Sequence, residues 1–183
     1  MSHPSHARII LAALSRLDHP DWRQYELAGV SHLPQPVFPD LGDESQNPAD
    51  FRPAFRAGFH NMAAWTTDGT PPPPSRFIEG EVQADGTLAT DLDADGNAVG
   101  GLRLPHMTQV VNGREAGAPL GTYTGLNPAG DPATLEGILL LLSGTFTPFD
   151  DEELRERYPN PGAYVNRVAR AVKAGSTERP RIR

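Results

Sequence analysis

His32 is the residue whose type and setting best suit chemistry. It follows Tyr25-Glu-Leu-Ala-Gly29, which reads as a strand, and the chain then bends through Ser31 to Pro34. A histidine in such a loop can swing its imidazole to a nucleophile contributed from elsewhere, because its near-neutral pKa lets it take a proton and return it. Spacing alone favours the blander account, a surface histidine. The nucleophile is the missing part. Gly29-Val-Ser31-His32 comes nearest to Gly-x-Ser-x-Gly, the strained strand-to-helix turn that exposes a serine hydroxyl, yet it lacks the second glycine and the following helix. The chain has no cysteine, which excludes thiol nucleophiles, disulfides and Cys-ligated zinc. Lys173 is the only lysine, so lysine chemistry has scarcely a candidate.

The other five histidines make weaker cases. His3, His6 and His19 lie near the terminus or a turn, His60 sits inside a predicted helix, and His106 follows Pro105 in a loop. No pair has the His-x-x-x-His spacing with an acid that a zinc or iron site uses. Asp91-Leu-Asp93-Ala-Asp95-Gly96-Asn97 matches the first half of a calcium loop, with Leu102 where a bidentate Glu belongs. A hairpin turn with solvated acids is the better reading of that string. Leu120-Gly-Thr-Tyr-Thr-Gly-Leu-Asn-Pro128 is neither a P-loop nor a dinucleotide fingerprint, and no cofactor is expected.

Several elements must position these residues. The spacing of Ile10, Leu14 and Leu17 predicts a helix over Pro4 to Leu17, capped by Ser5. Trp22 to Ala28 reads as a strand that Gly29 ends, and Gln35 to Asp50 as a long irregular connection. A second helix is predicted over Pro53 to Trp65, with Ala54, Phe55, Phe59, Met62 and Trp65 as its apolar stripe. Pro71 to Pro74 must be extended. Short strands and tight turns follow, the turns at Asp85-Gly86 and Asp95-Gly96-Asn97, and Gly117 to Pro132 reads as irregular. Thr134 to Leu142 reads as a buried helix, although Ile138 to Leu142 equally suits a core strand. Asp150 to Arg157 and Ala163 to Ala174 are the closing helices, the last capped by Gly175.

Composition bounds the rest. Among 183 residues, 18 Gly and 19 Pro make about one in five, against a usual ~12%. The chain is loop-rich, yet long enough for one domain with a real core. The longest apolar run, Ile138 to Leu142, falls far short of the ~18 residues a membrane span needs, and Met1-Ser-His-Pro4 lacks the charged start of a secretory signal. As written, the chain reads as soluble, without a membrane span. A net charge of −7 argues against nucleic acid as a partner. The local exception runs from Ala163 to Arg183, where Arg167, Arg170, Lys173, Arg179, Arg181 and Arg183 face only Glu178. A solvated helix face with a frayed tail accounts for it.

Taken together, several strings resemble the C-terminal end of a bacterial, esterase-like branch of the α/β-hydrolase superfamily. They are Tyr25-Glu-Leu-Ala-Gly-Val-Ser-His32, Trp65-Thr-Thr-Asp-Gly-Thr-Pro-Pro-Pro-Pro-Ser75, Asp95-Gly-Asn-Ala-Val-Gly-Gly-Leu-Arg-Leu-Pro105 and Pro119-Leu-Gly-Thr-Tyr-Thr-Gly125. Gly144-Thr-Phe-Thr-Pro-Phe149 and Glu156-Arg-Tyr-Pro-Asn-Pro-Gly-Ala-Tyr164 extend the likeness over nearly all of the chain. The resemblance implies an α/β fold: the C-terminal portion of an α/β-hydrolase, with a final sheet strand or two, packing helices and an irregular hairpin-bearing excursion, in one partial domain over residues 1–183. It also implies that His32 is the triad base.

Family members carry the serine, the oxyanion donors and most of the parallel sheet upstream, and their triad runs Ser, acid, His. The acid would precede His32, where Asp18 and Asp21 are the candidates. Without the attacking hydroxyl no acyl-enzyme forms, so this polypeptide alone is expected to be inactive on its small-molecule ester substrate. A gene fragment, a split enzyme whose upstream half binds here, and a decayed remnant all fit, and the fragment is preferred. A binding or assembly module without chemistry is the alternative, and a calcium-stabilised hairpin around Asp91, Asp93 and Asp95 is a third idea.

Overall fold

Backbone hydrogen bonds lace residues 24–28 between two later stretches of the chain. Glu26 N donates to Arg76 O (2.9 Å) and Arg76 N to Gln24 O (2.9 Å), while Leu102 N donates to Glu26 O (2.7 Å) and Ala28 N to Leu102 O (3.1 Å). The predicted strand is therefore an extended segment making two isolated parallel bridges, Tyr25 with Arg76 and Leu27 with Leu102. The computed structural model describes residues 20–33, 46–84, 87–107, 109–111 and 114–177. The predicted first helix, His3, His6, Asp18, His19, most of the 35–50 connection, the Asp85-Gly86 turn and the arginines beyond 177 lie outside the described residues.

The described elements, in order, are α1 (Arg52–Asp68), β1 (Gly80–Val82), β2 (Leu88–Thr90), β3 (Gln109–Val111), β4 (Arg114–Ala116), β5 (Gly121–Thr124), α2 (Leu135–Leu142), β6 (Thr145–Pro148), α3 (Asp151–Arg157) and α4 (Pro161–Thr177). The strands pair as three antiparallel two-stranded sheets, β1 with β2, β3 with β4 and β5 with β6. In the last, Tyr123 faces Phe146 in register. Antiparallel bridges between Ile78 and Gly100 and between Leu92 and Ala98 continue the hairpin material of β1 and β2. The result is a mixed helix and strand molecule in which the sheets are small.

Local chemistry explains most ends. Pro53 stands in the first turn of α1, where its missing N–H costs nothing, and Gly69 closes the helix at φ 66°, a left-handed conformation that a side chain resists. The Thr134 side chain accepts from Gly137 N (3.0 Å) to start α2, and Asp150 accepts from Glu153 N (2.8 Å) to start α3. In α3 three acids fill the first turn and two arginines the last, matching the helix dipole.

Three expectations are corrected. Gly117 to Pro132 contains β5, whose alternation of buried and half-buried residues was masked by the glycines at either end. α2 is a helix, not a strand, but among its residues only Gly137 is buried, and Leu135 is 74% exposed. α4 runs through Gly175 to Thr177 instead of stopping there.

The core is small and unusually polar. Its apolar members include Ala28, Ala49, Met107, Ala118 and Tyr123, packed with the buried polar residues Ser31, Asn47, Asn97, Asn127 and Ser143. Asn47 and Asn97 join distant segments by side-chain hydrogen bonds. Asn97 donates to Gly121 O (3.2 Å) and accepts from Tyr123 N (2.7 Å), tying the hairpin turn to β5. Tyr123 in turn packs between the rings of His106 and Phe146, each 4.7 Å away by centroid.

Candidate active site

The extended segment 24–28 delivers the chain to Gly29, which turns it at φ 62°. Only glycine serves there, since a Cβ would also lie 2.8 Å from Met107 Cε. Asn47 Nδ2 then clamps the turn, donating to Gly29 O (3.1 Å) and to Thr124 O (2.8 Å). Ser31 is buried, its hydroxyl donating to Leu33 O (2.8 Å), and Leu33 N reaches Leu142 O (3.2 Å). The loop is thus held at both ends, and between them His32 is exposed. Ser31, its hydroxyl spent on a backbone carbonyl, is not presented as a nucleophile.

His32 lies on the edge of a concavity of about 920 Å³. Its walls come from Leu27 and Val30 beneath the loop, Phe51 and Phe55 of the α1 region, Leu92 and Ala98 of the hairpin, and Tyr123 to Leu126 around the end of β5. Among the described residues no carboxylate and no arginine lines it. Asp21, one of the two expected partners for the histidine, is not among the lining residues. A second groove of about 450 Å³ adjoins this one along Leu27 and Phe55, running between α1 and the bridged stretches that hold Tyr25, Arg76 and Leu102.

His106 was not singled out from the sequence, yet it underlies the site. Its ring meets Tyr123 edge to face and hydrogen-bonds the Gly29 backbone. Burial pushes the His106 imidazole below its ordinary 6.5, and the nearby Arg103 charge adds to this, while the Gly29 bond opposes it. Burial also pushes the Tyr123 phenol up to about 12. Nothing in the local sequence signals the His106 to Gly29 contact, because it joins a loop after Pro105 to one after Ala28. His60 lies exposed on α1.

The calcium-like string serves a turn. Asp93 Oδ1 accepts from Asp95 N (3.0 Å) and Asn97 N (2.9 Å), and its other oxygen pairs with Arg103. Asp95 pairs with Arg157 at 2.7 Å, bracing the hairpin against α3. Asp93 and Asp95 are engaged by arginines and backbone amides, and among the described residues no group of three or more His, Asp or Glu is arranged to hold a metal ion. Likewise, no described helix is long and apolar enough to cross a membrane.

A mixed helix and strand fold with a histidine on the edge of a neutral concavity fits a hydrolase class of protein. The family model for the alpha/beta hydrolase domain matches residues 5–179, and the chain belongs to that family. Membership points to hydrolase-type function. No curated protein and no solved structure matches the chain.

Proposed function

We propose that this chain is the histidine-bearing, C-terminal part of an esterase-like serine hydrolase acting on ester or related acyl bonds, with His32 as general base and then general acid. The observation that carries this reading is the exposure of His32, on a loop held at both ends, beside a concavity in an alpha/beta hydrolase domain. Its imidazole takes the proton of an attacking serine hydroxyl and returns it to the departing alcohol, then repeats the cycle with water. The serine would be supplied from outside these 183 residues, by sequence of the same protein or by a partner, since they contain no Gly-x-Ser-x-Gly. The acid that orients His32 is Asp18, Asp21 or a residue from that same source. By itself the chain turns over no ester.

The test joins this chain to the polypeptide encoded immediately upstream of Met1 and follows a chromogenic ester. His32→Ala is expected to lower turnover about a thousandfold, while substrate binding is retained. Undiminished turnover in the variant, or an adjoining reading frame without Gly-x-Ser-x-Gly, overturns the assignment. One observation favours a second reading, a binding or assembly module: Phe55, Phe59 and Met62 of α1 are all more than half exposed. That reading expects no turnover from the joined protein at all.

A further inference from the structure

We propose that the concavity beside His32 holds the apolar portion of an uncharged ester, so that the substrate class is neutral esters carrying an alkyl or aryl group of several carbons. The inference rests on the catalytic reading of His32 and extends it to specificity. Three observations support it. First, the volume of about 920 Å³ lies within the ~300–1,000 Å³ of small-molecule sites, far more than an acetyl group fills. Second, the walls are Leu27, Val30, Phe55, Leu92, Ala98 and Leu126, contributed by separate segments that converge on one space. Third, among the described residues no lysine or arginine lines it: Arg76 lines the adjoining groove, and Arg103 and Arg157 are paired with Asp93 and Asp95.

A carboxylate entering this space would shed water and meet no lysine or arginine among the described residues, a cost that a neutral alkyl group avoids. Tyr123 does not change that balance, because its phenol stays protonated throughout the neutral range.

Binding tests this separately from turnover. Titration calorimetry on the 183-residue chain would compare 2-butanone, 2-hexanone and 2-octanone, which mimic an ester carbonyl without being cleaved, with octanoate. Affinity is expected to tighten about fourfold per added methylene, and octanoate to bind at least about tenfold more weakly than 2-octanone. Leu126→Asp and Phe55→Asp, both at exposed positions lining the space, are each expected to weaken 2-octanone about tenfold, and Leu135→Asp, exposed and outside the lining, to change it less than about twofold. Flat affinity along the ketone series, or octanoate binding as well as the ketone, overturns the proposal. So does loss of 2-octanone binding when the upstream polypeptide is joined, since protein would then occupy the space. Failure of the catalytic reading shows elsewhere, as undiminished turnover in joined His32→Ala, and leaves these binding results standing.

Discussion

The two walls of the concavity are held in different ways. One wall, formed by the Asp95-Gly96-Asn97 turn and β5, is bound into the body by Asn97, whose side chain is fully buried, and by the pairing of Asp95 with Arg157. The other is the start of α1, a 17-residue helix with no buried residue. At its start Phe51 packs on Phe55 at 5.2 Å, a contact local to the helix itself, and near its end the Arg23 guanidinium lies 5.3 Å from the Trp65 ring. The difference teaches where stability resides. Directional bonds to buried amides fix one wall and the His32 loop beside it, whereas α1 offers apolar surface with little of it removed from water.

Asn97→Ala is the sharpest way to break that contrast. It leaves the Gly121 carbonyl and the Tyr123 amide without their partners inside the fold, at an expected cost of about 3 kcal/mol. Urea unfolding followed by circular dichroism reads this as a lower midpoint at unchanged slope. Asn97→Asp, which keeps the acceptor for Tyr123 and loses the donor to Gly121, should fall between the variant and the parent. A cost below about 1 kcal/mol for the alanine variant would show that the amide is not what holds this wall.

The smaller second effect concerns pH. The His106 imidazole is held below its ordinary 6.5 in the folded chain, chiefly by burial. Between that depressed value and 6.5 the unfolded chain binds more protons than the folded one, so stability rises with pH across this window and is lost as pH falls through it. For one proton the slope cannot exceed ~1.4 kcal/mol per pH unit. His106→Phe keeps a ring against Tyr123 and should remove this part of the slope, measured as unfolding free energy at stepped pH from 7.5 down to 5. An unchanged slope in His106→Phe would assign the acid sensitivity to other groups.

Sequence revealed what local chemistry decides. Pro53 and Gly69 bracket α1, Asp150 starts α3, and Asp95-Gly96-Asn97 makes a turn, because each acts on its own backbone. The exposed setting of His32 after an extended segment was legible for the same reason. Long-range pairing was not. β5 meets β6 across the whole of α2, and Asn47 reaches Gly29 and Thr124 across loops with no periodicity to mark them. The concavity was illegible too, since residues from the 27–32 loop, α1, the hairpin and β5 line it only once the chain has folded. Apolar periodicity even misled: the runs in α1 and α2 suggest buried faces, yet Phe59 is 63% exposed and Leu135 74%.

That last mismatch yields the smallest predicted effect and the most direct check on the soft wall. Phe59 shows most of its ring to solvent, so Phe59→Ser gives up little burial and should change unfolding free energy by less than about 0.5 kcal/mol. Trp65, half-buried under Arg23 six residues further along the same helix, should report the same urea midpoint by fluorescence in variant and parent. A loss of 2 kcal/mol or more would mean that the helix buries Phe59 in solution. Both walls would then be fixed, and the contrast between directional amides and exposed apolar surface would fail where it is drawn most strongly.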